Sequence, residues 1–207
     1  MTPPQDCQLC PRLVAHREKV KIQYPDYHCA PVAAMGNSSA KLLIVGLAPG
    51  LHGANASGRP FTGDASGDLL FASLFAYGFA SQPQSRSLSD GMQLIDCRVT
   101  NAVKCLPPQN HPDPDEVNTC NTFLRDEIRG VPSAGAVLAL GGIAHRAVIK
   151  ALELRQADYP FAHAAHYLLQ DGRTLFSSYH PSRYNLHTGK LTAACFERVL
   201  EQIREAL

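Results

Sequence analysis

The sequence lacks any apolar run that approaches the roughly 20 residues of a membrane-spanning helix. Its first residues, MTPPQDCQLCPRL, also lack the basic start and the apolar core of a signal peptide. These two absences predict a soluble, cytoplasmic protein that has no membrane partner.

The sequence also lacks a strong charge of either sign, because its formal net charge is +1. Many nucleic-acid-binding domains are strongly basic, so any contact with DNA must come from a local patch. Two groups of basic residues are candidates for such a patch. The first of them, near the N-terminus, is explained equally well as an ordinary solvated helix face. The groups are Arg12, Arg17, Lys19 and Lys21 near the N-terminus, and His180, Arg183, His187 and Lys190 near the C-terminus.

Two nucleotide-binding motifs are missing from the glycine-rich stretch 46–70. It has neither the GK[ST] ending of a P-loop nor the GxGxxG pattern of dinucleotide-binding proteins, so nucleoside-triphosphate chemistry is disfavoured. Its glycines and prolines are typical of a backbone that lies close to a ligand. Asp64 and Asp68 open the helical pattern that follows, and their simplest role is to stabilise the positive end of that helix.

Seven cysteines are present, and this odd number argues against a disulphide framework and for reduced thiols or metal ligands. Cys7 and Cys10 form a CxxC motif, and Cys105 and Cys120 form a wider pair. Thiolates suit a structural zinc ion or an iron–sulphur cluster, and the spacing leaves both open. The other three have apolar or mixed surroundings and are expected to be packing residues: Cys29, Cys97 and Cys195.

The hydrophobic content of 45% over 207 residues is enough for one core, and we expect a single domain over residues 1–207. Short apolar runs predict strands over 41–46, 94–101, 134–142 and 173–180. Helical patterns cover 64–77, 114–128, 143–154 and 188–207. This alternation favours an α/β sandwich with a mostly parallel sheet, whose ligand cleft lies at the carboxyl ends of the strands.

Three polar or glycine-rich segments follow predicted strands directly, which places them at one cleft. They are GLAPG from Gly46, TNAVKCLPPQN from Thr100, and HPSRYN from His180. His180 precedes a proline and is therefore expected in extended backbone. The residues after that proline suit phosphate contacts and insertion into a base stack, and they are Ser182, Arg183, Tyr184 and Asn185.

The ordered segments GLAPG, HGANASGRPFTGDASG, VTNAVKCLPPQN and SYHPSRYN, together with the two cysteine pairs, resemble the type-b, or family 5, uracil-DNA glycosylases. The resemblance covers roughly residues 7 to 190, and the joint pattern is far more specific than any one segment. Sister families carry a polar or acidic residue near the middle of the first motif. This sequence has Ala48 there, as the type-b family does.

The resemblance implies a three-layer α/β/α sandwich with a central, mainly parallel four-stranded sheet. It also implies a [4Fe–4S] cluster with a structural role and no redox step in the reaction. The implied ligands of this cluster are the four paired cysteines, Cys7, Cys10, Cys105 and Cys120.

The same resemblance implies roles for single residues. Asp64 is the implied catalytic carboxylate, with Asn110 and His180 as active-site partners. Phe61 is expected to stack on the flipped base, beside Gly46 and Ala48 in the base pocket. Asn101 occupies the position that reads the uracil edge in the related iron–sulphur family, although type-b members vary there.

The implied activity is excision of uracil from double-stranded DNA in base excision repair, by a monomer. No lysine belongs to this set of residues, which predicts a monofunctional enzyme that leaves an abasic site. The small side chain of Ala48 predicts a roomier pocket that also accepts hypoxanthine. Two alternatives remain open: a non-catalytic four-cysteine module that binds nucleic acid, and a hydrolase of free nucleosides.

Overall fold

A computed structural model describes residues 2–207, and its centre is a six-stranded β-sheet. The strands are β1 (Met35–Gly36), β2 (Leu42–Gly46), β3 (Cys97–Asn101), β4 (Ala136–Leu140), β5 (His166–Leu168) and β6 (Thr174–Ser178). Their order across the sheet is β1-β3-β2-β4-β6-β5. The helices are α1 (Pro11–Gln23), α2 (Ala54–Ser57), α3 (Ala65–Ala76), α4 (Pro114–Arg129), α5 (Gly142–Ala151), α6 (Arg183–His187) and α7 (Ala193–Ala206).

The four central strands, β3, β2, β4 and β6, are parallel, which confirms the mainly parallel sheet. The predicted total of four strands is wrong, because β1 and β5 add antiparallel edges to β3 and β6. Both edge strands are very short, and β5 is largely exposed, so neither gives the apolar run that marks a central strand. Every residue of β2 and β4 is buried, as expected for strands covered on both faces.

Helices cover both faces of the sheet and confirm the three-layer α/β/α arrangement. Leu42 and Ile44 of β2 belong to a core that includes residues of α3 and α7. Leu43 and Val45 point to the opposite face, as alternation along a strand requires, and pack with residues of α4 and α5. The body of the protein is therefore held by two apolar cores, one on each face of the sheet.

The C-terminal helix begins later than predicted. The pattern over 188–207 predicts one helix, but the structure has the short helix α6 before it and starts α7 at Ala193. Gly189 has a φ of +69°, a left-handed conformation that ends the first helix. The Thr192 side chain then accepts a hydrogen bond from the backbone N–H of Cys195 and caps α7.

The N-terminal helix α1 lies against the segment that joins β3 to α4. Leu13 of α1 is buried with Val103 and Phe123 in a small separate core. Within residues 2–207, no helix is both long enough and apolar enough to cross a membrane.

Candidate active site

A cavity of about 630 Å³ lies at the carboxyl ends of β2, β3 and β6. The three segments that follow these strands all contribute to its wall, which agrees with the position predicted from the sequence. Most of the predicted site residues line this cavity: Ala48, Phe61, Asp64, Asn101, Asn110, His180, Ser182 and Arg183.

Phe61 is held tightly at the back of the cavity. It is 6% exposed and has a φ of +53°, an uncommon backbone conformation for a bulky residue. A Cβ atom on Gly46 would lie 2.5 Å from the Phe61 ring and 2.5 Å from Oδ1 of Asn101. A Cβ atom on Gly67 would lie 1.8 Å from the Phe61 carbonyl oxygen. Gly46 does not itself line the cavity, and it serves the site by leaving room for the aromatic ring.

The imidazole of His180 stacks on the ring of Phe61. The ring centroids are 5.9 Å apart, and the planes meet at 25°. Burial lowers the pKa of His180, and the nearby charge of Asp64 opposes this shift only in part. The imidazole is therefore neutral at neutral pH. The His180 carbonyl oxygen accepts a hydrogen bond from Nδ2 of Asn185 at 2.9 Å, which fixes the loop that carries the ring.

Asp64 both caps α3 and lines the cavity. Its Oδ1 accepts hydrogen bonds from the backbone N–H groups of Ser66 and Gly67, each at 3.0 Å. Its Oδ2 faces the glycine-rich loop, where a Cβ atom on Gly53 would lie 2.5 Å from it. The same carboxylate therefore caps α3 with Oδ1 and leaves Oδ2 free for the predicted functional role.

Asn110 reaches the cavity from an irregular turn. It ends the short 3-10 helix Pro108–Asn110, and it has a φ of +57°, directly after Gln109 at +54°. Asparagine tolerates this left-handed conformation better than most residues. The side chain is exposed at the mouth of the cavity.

The loop after β6 contributes unequally to the cavity. Ser182 caps α6 by accepting a hydrogen bond from the N–H of Asn185, and Arg183 lines the mouth as an exposed cation. Tyr184 does not line the cavity, and it is 74% exposed on α6. The Asn185 side chain also lies outside the lining and is bonded to the His180 backbone.

Lys104 is a buried residue of the site region that sequence reasoning missed. Its Nζ donates to the Asn101 carbonyl oxygen at 2.8 Å and to Oγ1 of Thr100 at 2.5 Å, and it pairs with Oε2 of Glu127 at 2.6 Å. These bonds fix the end of β3, where Asn101 is 4% exposed. A lysine inside an otherwise apolar segment was the available signal.

His52 is a second missed residue at the cavity wall. Its Nδ1 lies 2.9 Å from the hydroxyl of Tyr27, and its ring meets those of Tyr24 and Tyr27 edge-on. The two tyrosines stack on each other with ring centroids 4.7 Å apart. The sequence offered only the histidine of HGANASG as a signal, since the tyrosines lie in a distant segment.

The candidate N-terminal basic group is not one continuous exposed patch, because Lys19 and Lys21 are exposed while its two arginines are paired or buried. Arg12 pairs with Glu116 at 2.7 Å and with Asp113 at 2.9 Å, so its charge is already compensated. Arg17 is only 7% exposed, because it faces inward from α1. In the C-terminal group, Lys190 lies over the ring of Tyr179, 4.7 Å from its centroid.

The four paired cysteines line one small cavity between α1 and the segment from β3 to α4. Burial, with the neighbouring Cys120 as the next cause, raises the pKa of Cys105 to about 12. Burial also raises the pKa of Cys120 to about 11. Across residues 2–207, no group of three or more His, Cys, Asp or Glu side chains has a geometry that could hold a metal ion.

The remaining cysteines lie elsewhere. Cys97 is fully buried in β3, and Cys29 is buried beside Asn55, whose Nδ2 donates to its sulphur at 3.5 Å. Cys195 packs against the core at the start of α7, with its sulphur 3.1 Å from Nη2 of Arg198. None of the three lines the four-cysteine cavity.

Comparison with known proteins places this architecture in a family. Residues 33–204 match the family model described as the uracil DNA glycosylase superfamily. A type-5 uracil-DNA glycosylase of Thermus thermophilus is 43% identical, covering 96% of this chain and 92% of that protein. Type-5 uracil-DNA glycosylases of Pyrobaculum aerophilum and Mycobacterium leprae are each 40% identical, covering 95% and 96% of this chain and 87% and 90% of their own lengths. The chain therefore belongs to the type-5 family of the uracil-DNA glycosylase superfamily.

Proposed function

We propose that this protein is a monofunctional DNA glycosylase that removes uracil from DNA and leaves an abasic site, as the first step of base excision repair. The observation that carries the proposal is the shared cavity of Asp64, Phe61 and His180. The names of the type-5 relatives agree with this activity.

The position of the cavity requires the target nucleotide to leave the duplex. A glycosidic bond inside stacked DNA is out of reach, so the base must be flipped into the pocket. The Phe61 ring provides an aromatic surface for the flipped base, and Asn101 provides an amide for its polar edge. Arg183 at the mouth supplies a cation for the phosphate backbone.

Cleavage of the glycosidic bond develops positive charge on the deoxyribose and negative charge on the departing base. The Asp64 carboxylate stabilises the sugar cation and orients the attacking water through the oxygen that does not cap α3. The neutral imidazole of His180 donates a hydrogen bond to the base carbonyl, where negative charge accumulates. Asn110 at the mouth is placed to hold the water.

A water nucleophile, and not an amine, follows from the placement of the lysines. Among the described residues, the lining of the cavity contains no lysine. Lys104 is near but fully buried, and its ammonium group is bonded to Glu127, Thr100 and Asn101. Without an amine to form a covalent intermediate, the reaction ends at the abasic site and the strand stays intact.

The four-cysteine cavity is the proposed position of a [4Fe–4S] cluster. Four sulphur donors with no other ligand type suit iron–sulphur binding. When bound, the cluster supplies structural stabilisation and takes no part in glycosidic cleavage. Cys7 and Cys10 would then fasten the start of α1 to the body through Cys105 and Cys120, so that residues 1–207 act as one domain.

The proposed substrate range rests on Ala48, a small apolar side chain in the cavity wall. The proposal therefore includes hypoxanthine besides uracil, in double-stranded DNA bound by a monomer. The cytoplasmic location expected from the sequence stays a prediction.

The test is incubation of purified protein with a duplex that carries one uracil, followed by hot alkali to reveal abasic sites. Cleavage should need both the uracil and Asp64, so Asp64→Asn should be nearly inactive. Asparagine is also a good helix cap, and α3 should stay folded in this variant. Asp68→Asn is the matched control, because Asp68 is an exposed acid in the first turn of the same helix. Equal loss in both variants would contradict the role of Asp64.

Two further measurements separate the alternatives. A four-cysteine module without catalysis would bind the duplex and leave every glycosidic bond intact. A hydrolase of free nucleosides would cleave deoxyuridine, and excess duplex would not compete. For the glycosylase, uracil is released from the duplex and free deoxyuridine is not hydrolysed.

A further inference from the structure

Arg17 is a buried cation whose role the proposed reaction does not explain. It lies on the inner face of α1 and is 7% exposed. Its guanidinium lines the four-cysteine cavity, with Nη1 4.0 Å from the sulphur of Cys105.

Arg59 is equally buried and shows what such a cation normally has around it. It is also 7% exposed, and its Nη1 pairs with Asp90 at 2.8 Å while its Nη2 donates to the Leu88 carbonyl oxygen. Within residues 2–207, Arg17 pairs with no carboxylate, and its side chain bonds only to a cysteine sulphur.

A buried guanidinium without an anion is strongly unfavourable, because arginine stays charged in proteins and loses its hydration on burial. The missing anion has to be close to Nη1, and the nearest candidates are the sulphurs of the cysteine cavity. Four thiolates around an iron–sulphur core carry net negative charge, and here they lie in a partly buried setting. The unpaired Arg17 guanidinium and the sulphurs that would carry the negative charge therefore line the same cavity.

We propose that Arg17 is the counter-cation of the cysteine-bound cluster, and that it sets the cluster's midpoint potential and its resistance to oxidative loss. This inference rests on the proposed [4Fe–4S] cofactor and goes beyond its structural role. Net charge and hydrogen bonds to the sulphurs are known controls of iron–sulphur potentials.

The sign of the effect follows from electrostatics. A positive charge beside the cluster favours the state that holds one electron more, so removing that charge lowers the midpoint potential. The cluster then gives up an electron more easily, with oxygen as the acceptor in aerated buffer. An Arg17→Gln protein should have a more negative potential and should lose its cluster absorbance faster in air.

The experiment compares wild type, Arg17→Gln, Arg17→Lys and Lys19→Gln, all purified without oxygen. Lys19 is exposed two residues further along α1, so its replacement removes the same charge from the same helix away from the cavity. Iron and sulphide content, midpoint potential by redox titration, and the rate of bleaching in air are measured for each. We expect only Arg17→Gln to have a lower midpoint potential and faster bleaching. Arg17→Lys should stay close to wild type in both, because it keeps the cation.

Two results would overturn the inference. One is a fully loaded Arg17→Gln protein with the same potential and bleaching rate as Lys19→Gln. The other is an Arg17→Lys protein that loses its cluster as fast as Arg17→Gln does. The positive charge would then not be the property that protects the cluster. A wild-type protein that is free of iron and still releases uracil from DNA would refute the cofactor itself. Failure of the cofactor proposal can therefore be distinguished from failure of the Arg17 inference.

Discussion

Gly46 and Phe61 are in direct contact: a Cβ atom at position 46 would overlap the aromatic ring at 2.5 Å. The last residue of β2 thus sets how far the ring can withdraw from the base cavity. The Phe61 backbone is also packed closely on Gly67, where a Cβ atom would lie 1.8 Å from the Phe61 carbonyl oxygen.

Gly46→Ala should therefore push the ring into the cavity. We expect uracil cleavage to fall by about a hundredfold, since displacement of a positioning group by about 1 Å has effects of this size. Overpacking should also cost about 1–3 kcal/mol of stability. Gly142→Ala is the control, because its Cβ would have no neighbour closer than 3.5 Å. Wild-type cleavage rates in Gly46→Ala would show that the ring position is unimportant.

His180 should make the protein less stable in acid. Burial lowers its pKa in the folded state, so between that pKa and about 6.5 the unfolded chain binds more protons than the native one. The free energy of unfolding therefore falls as the pH drops through this range. His180→Gln removes this pH-dependent contribution. Between about pH 7.5 and about pH 5.5, the free energy of unfolding measured in urea should therefore fall less for the variant than for wild type.

Three other histidines have lowered pKa values from burial, and both proteins in that comparison contain them: His16, His145 and His163. The difference between the two proteins consequently reports on His180 alone. Equal losses of stability in wild type and variant would mean that the imidazole is not desolvated in the folded protein.

Breaking the Lys104–Glu127 pair should be costly, because both side chains are buried. Lys104→Met leaves an uncompensated carboxylate, and we expect a loss of about 3–5 kcal/mol in urea unfolding. The double variant Lys104→Met, Glu127→Leu removes both charges and should recover most of the loss. If the double variant is as unstable as the single one, hydrogen bonds from Lys104 to the end of β3 matter more than the charge.

Cys105→Ser should purify without iron and with a lower yield of folded protein, since metal binding and folding are coupled in such sites. Cys195→Ser is the matched control, because Cys195 lies outside the four-cysteine cavity. Iron and sulphide assays on both proteins make the comparison. A stable, iron-loaded Cys105→Ser protein would refute the ligand assignment.

The sequence was sufficient to predict the four central strands, because β2 and β4 are wholly buried apolar runs and the mixed strands β3 and β6 have buried apolar residues at their centres. It was also sufficient to bring the segments GLAPG, TNAVKCLPPQN and HPSRYN to one cavity, since each begins at or just after the end of a strand, whereas the place of Asp64 was implied by the family resemblance. The edge strands β1 and β5 gave no such signal, because they consist of two and three residues and are held mainly by pairing with their neighbours.

Features that depend on a partner far away in the sequence could not be predicted. Lys104 is buried only because Glu127, 23 residues away, provides its counter-charge. The sequence groups Arg17 with exposed basic residues, since its inward orientation is decided by how α1 packs on the segment after β3. Local composition marks Lys104 as unusual in an apolar segment, but it identifies the partner of neither residue.

The capping of α3 by Asp64 reduces the conformational entropy of that side chain before any DNA binds. A free aspartate side chain rotates among several conformers, and holding it still for a reaction costs free energy at the moment of binding. Oδ1 of Asp64 is already held by two backbone N–H groups, so this ordering takes place when α3 forms. In the proposed reaction, the carboxylate meets each flipped nucleotide with its rotational freedom already removed, and binding energy from DNA need not be used for that purpose.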